Sequence, residues 1–188
     1  MPSLGHVAVG LAAGRLHAGT GSRSRVAPTL VFTALALFPD LDVVARQLGA
    51  GRASIWLHRG ALHSIAVAVL AGLAAACLAG GLGRAWPRTA ATAALVALSH
   101  GVLDTITRGG RGVMLLWPFD ETRFLAPWPL LAAAPIGARL ASTPGVAVLV
   151  HEAVLFSPLL VYALWPARRL IPGSPSSSSC EGASGCTE

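Results

Sequence analysis

The chain has 188 residues, a length that suits one domain, and it is 54% hydrophobic and only 12% charged, with a mean hydropathy of +0.65. Soluble domains carry charge on about a quarter of their residues, so this composition excludes an ordinary soluble domain and belongs to a membrane protein. The net charge of +6 comes from fourteen arginines and no lysine, scattered between apolar segments rather than clustered, which speaks against nucleic acid and for contact with anionic lipid headgroups. Arginine without lysine, beside heavy Ala and Gly use, points to a GC-rich bacterial genome.

Residues 4–18 form an apolar segment interrupted by His6, Arg15 and His17. It is short of the about 20 residues a full span needs and reads as a tilted or half-inserted helix. It lacks the basic flank and cleavage site of a secretory signal and is expected to stay in the mature protein. Residues 26–48 form a second segment that runs from an apolar core into Pro39-Asp40-Leu41-Asp42, where proline breaks the helix. After a connector, residues 62–82 are the clearest span, without a charge, and Ser64 is placed to cap its start. Residues 89–106 form a fourth span ending in His100 and Asp104. The Gly/Pro/Trp-rich stretch 107–143 suits an interfacial, partly re-entrant connector. Residues 146–165 form a last span carrying His151 and Glu152, stopped by Arg168 and Arg169. A disordered Ser/Gly-rich tail at 171–188 follows a membrane domain at 1–170. Cys77 is expected to pack inside its helix, and Cys180 and Cys186 in the tail argue for neither a metal site nor a disulfide.

If five segments cross in alternation, the ends that hold His6, Asp40, Asp42, His58, His63, His100, Asp104 and Glu152 share one membrane face. Every acidic residue outside this set is Asp120, Glu121 or a tail glutamate. His17 and His151 do not fit the pattern, and Asp120 reads as a loop-capping carboxylate. His100 and Asp104, four apart on a helix, can grip one divalent cation, although a lone pair of this kind is also what a hydrogen-bonded histidine near a helix end looks like. The rest of the set favours the cation. An ionisable group in a bilayer costs about 2.5 to 3.5 kcal/mol, and several carboxylates with Arg59 as the main local cation need further positive charge. Imidazole and carboxylate together suit zinc, or else manganese or iron, one or two ions. Arg59 is positioned to clamp an anionic group such as a phosphate. A carboxylate not consumed in ligation, Glu152 or Asp42, can serve as general base.

At these residues the chain resembles the YdjM-like, LexA-regulated inner-membrane proteins of bacteria assigned as metal-dependent hydrolases. The matching stretches are Gly5-His6-Val7-Ala8-Val9-Gly10, Phe38-Pro39-Asp40-Leu41-Asp42, His58-Arg59-Gly60-Ala61-Leu62-His63-Ser64, Ser99-His100-Gly101-Val102-Leu103-Asp104, and the run from Gly109-Gly110 to Leu116-Trp117-Pro118-Phe119. They cover most of residues 4–125, and the His-Arg-Gly-x-x-His-Ser match is specific. The family position before the first His is usually Thr, and here it is Gly5. The resemblance implies a polytopic inner-membrane protein whose His and Asp residues ligate a metal. It does not imply a substrate. The order of an early His and a His-x-x-x-Asp pair is similar in pattern to zinc-dependent phospholipase C and P1-type nucleases, which favours phosphoester or phospholipid substrates.

The expectation is therefore an all-α polytopic helical bundle of four or five transmembrane segments. Its metal ligands, His6, Asp40, Asp42, His58, His63, His100 and Asp104, gather at one face, and Glu152 and Arg59 serve catalysis. The expected activity is hydrolysis of a phosphoester or lipid ester at the membrane surface. The rival is a metal-binding transporter or structural membrane protein, for which ligands would lie near the midplane with a path to both faces. Arginines divide evenly between the two sides, so the positive-inside rule returns no orientation.

Overall fold

The computed structural model describes residues 4–19, 25–49, 51, 54–79, 86–135 and 137–166. The expected tail with Cys180 and Cys186, and the turn around Arg84, lie outside them. The described residues are helical, with two isolated β-bridges, Thr107 to Leu131 and Val113 to Phe124, in the long connector. Helix α1 spans Leu4–Ala18, α2 Val26–Leu37, α3 Asp42–Gln47, α4 Ile65–Leu78, α5 Trp86–Thr105, α6 Thr143–Leu155 and α7 Ser157–Leu164, with short 3-10 turns at Phe38–Leu41, Ala61–His63 and Gly137–Ala141.

Local chemistry sets most of these limits. Pro28, Pro87, Pro144 and Pro158 sit in first turns, where a missing N–H leaves no bond unmade. Ser64 caps α4 by accepting from the Val67 N–H at 3.2 Å. Pro39 turns the end of α2 into a 3-10 turn that carries Asp40 before α3 begins at Asp42.

The last expected span is broken. Helices α6 and α7 meet at an angle of 69°. Pro158 cannot donate to the Val154 carbonyl, and the Ser157 hydroxyl donates to it instead at 2.7 Å. Among the described residues, only Val26–Ala45 is one helical stretch long and apolar enough to cross a bilayer, and the bent α6–α7 pair passes the same test if taken as one span. The expected span at 62–82 is described as a 14-residue helix, Ile65–Leu78, with residues 80–82 outside the description.

Helices α1, α2, α4 and α5 pack side by side, α4 against α5 and α1 against α2, with α7 against α1. Their interior is made of small residues. Ala8, Ala12, Ala36, Ala68, Ala76, Ala93 and Ala97 are buried, Ala36 and Ala93 in one cluster with Phe32 and Val96, while Leu30, Val31, Leu70, Leu78, Leu95, Val150 and Val154 are exposed. Cys77, expected to pack, is also exposed, on the outer face of α4. A core of small residues under a coat of Leu and Val is the arrangement of helices that meet lipid, where close backbone approach replaces hydrophobic exclusion. At Gly72 a Cβ would lie 2.6 Å from the Ala90 carbonyl oxygen and 2.7 Å from the Ala94 Cβ. Gly72→Leu is therefore expected to force α4 off α5 and destabilise the protein by about 1–3 kcal/mol. Leu70→Ala, on the outward face, should leave the melting temperature in detergent nearly unchanged.

Candidate metal centre

Four segments deliver ionisable side chains to one end of the bundle. His6 comes from the first turn of α1, Asp40 and Asp42 from the turn after α2, His58 and His63 from the connector before α4, and His100 and Asp104 from the last turns of α5. The connector is shaped by tight turns, with Gly60 N donating to Leu57 O and Ala61 N to Ile55 O, both at 2.8 Å. Gly101 lets α5 approach this turn: a Cβ there would lie 2.5 Å from the His63 carbonyl oxygen. His6, Asp42, Arg59, His63, His100 and Asp104 are all buried, while Asp40 and His58 are partly exposed.

The donor atoms surround common points. His58 Nδ1 lies 3.1 Å from Asp42 Oδ1 and 3.6 Å from Asp40 Oδ1, and His63 Nδ1 lies 3.4 Å from Asp42 Oδ2. His63 Nε2 is 3.4 Å from Asp104 Oδ2, His100 Nε2 is 3.6 Å from Asp40 Oδ1, and His6 Nε2 is 4.0 Å from Asp104 Oδ1. Two ligands on a tetrahedral zinc at 2.0–2.1 Å are about 3.3–3.4 Å apart, a spacing that the two His63 contacts match, while His58 Nδ1 and Asp42 Oδ1 are within hydrogen-bond distance. Both ring nitrogens of His63, and Nε2 of His100, are buried without a hydrogen-bond partner. His100 Nδ1 lies 2.6 Å from the Ala36 carbonyl oxygen. A carbonyl only accepts, so Nδ1 carries a proton, and in the neutral ring this leaves the lone pair on Nε2, which is turned into the cluster.

Arg59 ties the shell together. Its backbone N–H donates to Asp42 Oδ2 at 3.1 Å and its Nε to Asp104 Oδ2 at 3.2 Å, while Nη1 donates to the Thr107 and Gly109 carbonyls. It adopts a φ of 66°, a left-handed conformation rare for a side chain of this size. The connector closes over it: Met114 N and Arg123 Nη1 both donate to the Arg59 carbonyl.

These observations, with an apolar exterior around an ionisable interior, are those of an inner-membrane family. Residues 1–171 match the family described as YdjM inner membrane protein. This chain belongs to the YdjM family. It is 36% identical over 177 residues, 87% of this chain and 96% of the relative, to the inner membrane protein YbcI of Escherichia coli strain K12. No solved structure matches the chain. Family membership, expected from the His-Arg-Gly-x-x-His-Ser stretch and its companions, makes this an inner-membrane protein.

In this YdjM-family chain, two residues singled out in the sequence stand at the edge of the cluster. Glu152 is 1% exposed, and its Oε2 accepts from the Leu4 N–H at 2.7 Å and the Gly5 N–H at 3.4 Å, capping the helix that carries His6. His58 borders a cavity of about 220 Å³ that is also lined by His6, Arg59, Asp104, Arg108 and Glu152. His17 lies apart from this cluster, beside Thr89 and Phe32, and His151 is exposed. Asp120 caps its own loop, accepting from Thr122, whose hydrogen bonds hold its carboxyl below the usual range. The orienting Ala36 carbonyl and the Thr107 and Gly109 carbonyls on Arg59 escaped sequence reasoning. Gly109-Gly110 signals a turn, but nothing in sequence marks the carbonyl of residue 36 as a histidine's partner.

Proposed function

We propose that this protein is a multi-pass membrane hydrolase that uses a divalent metal, zinc before manganese or iron, on a phosphoester or lipid ester at the membrane surface. The observation that carries the reading is the pair of buried imidazoles, His63 and His100, whose inward nitrogens lack hydrogen bonds and lie 3.4–3.6 Å from carboxylate oxygens. Burying such nitrogens without a partner costs about 1–3 kcal/mol each, and a cation removes that cost while neutralising the carboxylates. His6, Asp40, Asp42, His58, His63, His100 and Asp104 would hold the metal. When bound, it would lower the pKa of a water toward about 7 and polarise a phosphoryl or carbonyl oxygen.

The chain's own groups divide the remaining work. Arg59 fixes the Asp104 and Asp42 carboxylates and presents positive charge to the cavity, where an anionic ester would sit. Glu152 holds the start of α1, and with it His6, in register. Val26–Ala45 and the bent α6–α7 pair are long and apolar enough to cross, and crossings by α1, α4 and α5 as well would make up the expected four or five, a reading supported by the Leu and Val side chains exposed along α4 and α5. Ligands gathered at one end of the bundle favour turnover at a surface over passage across it.

Metal content of the detergent-purified full chain tests this. Wild type is expected to hold zinc, manganese or iron in stoichiometric amount and to lose ester hydrolysis on chelation. His100→Ala should insert normally and lose the metal. Full occupancy in that variant, or none in wild type prepared without chelator, overturns the reading.

A further inference from the structure

We infer that the cluster is two cation sites rather than one: an inner site formed by His6, His100 and Asp104, and an outer site formed by Asp40, His58 and His63. This rests on the metal reading above and deepens it. In each triad the potential ligand atoms lie within 4.8 Å of one another, and the two groups share no residue. Each triad contains one buried imidazole with an inward nitrogen that lacks a hydrogen bond, His100 Nε2 in the first and His63 in the second. Two such nitrogens in separate triads are two sites' worth of unmet ligation. Donor number agrees. Four imidazoles and three carboxylates converge here, more than the four ligands a zinc ion takes. The triads abut, with His63 Nε2 3.4 Å from Asp104 Oδ2 and His100 Nε2 3.6 Å from Asp40 Oδ1, and Asp42 reaches both His58 and His63.

The sites differ in access. His6, His100 and Asp104 are 1%, 0% and 2% exposed, whereas the His58 side chain is 33% exposed and that of Asp40 11%. The inner donors are the more enclosed, and the outer site is the more open to exchange. Charge then names the substrate class. The cluster gathers Asp40, Asp42, Asp104 and Glu152 around its end of the bundle with Arg59, the one guanidinium buried among the described residues, which bonds Asp104 through Nε. Against Arg59 alone three negative charges remain, and the exposed Arg108 at the cavity leaves two, so one divalent ion neutralises the site and two make it positive. The cavity touches both triads, through His6 and Asp104 on one side and His58 on the other, with Arg59 between. A positive site of this kind takes an anionic phosphoester in preference to a neutral carboxylic ester.

Zinc loading of the full chain in detergent, followed by desalting and elemental analysis, tests the partition. Wild type is expected to retain about two equivalents, and His58→Ala and His6→Ala about one each. A single equivalent in wild type, lost alike in both variants, overturns the two-site inference and leaves the metal reading standing. No metal in wild type overturns both. Because His6→Ala alters a buried position, wild type loaded with Mn²⁺ supplies a second measurement. A spin-coupled spectrum is expected, and an isolated-ion spectrum at full loading overturns the inference. Inorganic phosphate is expected to bind zinc-loaded wild type at least tenfold more tightly than His58→Ala, and equal binding overturns the assignment of an anionic substrate to the paired site.

Discussion

Replacing Arg59 with alanine is expected to destabilise the protein by about 3–5 kcal/mol, more than any other single truncation of a cationic side chain in the chain. The guanidinium is 5% exposed and its Nε donates to Asp104, itself 2% exposed. Removing it leaves the buried Asp104 carboxylate without its guanidinium, and it also strips the Thr107 and Gly109 carbonyls of this donor. The backbone adds a second, opposite contribution. At φ 66° any side chain is strained, by about 1 kcal/mol, and glycine is not. Arg59→Gly should therefore melt higher than Arg59→Ala, although it removes more of the side chain, and both should melt well below wild type. Arg59→Lys keeps a charge but cannot donate along both directions of the planar guanidinium fork, so it should fall between wild type and glycine. Thermal unfolding in detergent, read with and without chelator, decides the order. An alanine variant as stable as wild type, or more stable than the glycine variant, would show that neither the buried pair nor the left-handed backbone matters as argued.

Much of this architecture is legible in the sequence because it is set locally. The limits of α1, the break at Pro39, the cap at Ser64 and the i, i+4 pairing of His100 with Asp104 depend on a few neighbouring residues. The convergence of His and Asp residues on one end of the bundle is legible for a different reason. Ionisable groups are so few and so costly in an apolar chain that alternation of the segments nearly forces them together. The break between α6 and α7 was carried by Ser157-Pro158, but the apolar run across it masked the proline's effect. The outward position of Cys77 could not be read, since a helix apolar on all sides gives no periodicity to say which face is inside. Least legible were contacts between remote parts of the chain. The carbonyl of Ala36 on His100, and the loop at 107–114 folded over Arg59, depend on how helices stack, and no residue type announces them.

Glu152 is the clearest case, and it carries the second large effect. In sequence it is an acidic residue inside an apolar segment, and a catalytic base is the natural reading of such a residue. In the structure its carboxylate reaches across 148 positions to the first amides of α1, where a negative charge also meets the positive end of the helix dipole. Glu152→Ala is expected to leave those two amides without this acceptor and to cost about 2–4 kcal/mol. It should also loosen His6, two positions into the helix, and lower metal retention at the inner end of the cluster. Glu152→Gln keeps a carbonyl oxygen in place and loses only the charge, so it should restore most of the stability, the metal content and the hydrolytic rate. A base would behave differently. The glutamine variant would then bind metal fully and melt like wild type, yet turn over at least a hundredfold more slowly, with the acidic limb of its pH profile gone. Comparing the two variants by metal content, melting temperature and pH–rate profile separates a carboxylate that positions His6 from one that moves a proton. Recovery in Glu152→Gln is the expected result, and full metal content without turnover would return Glu152 to the catalytic role.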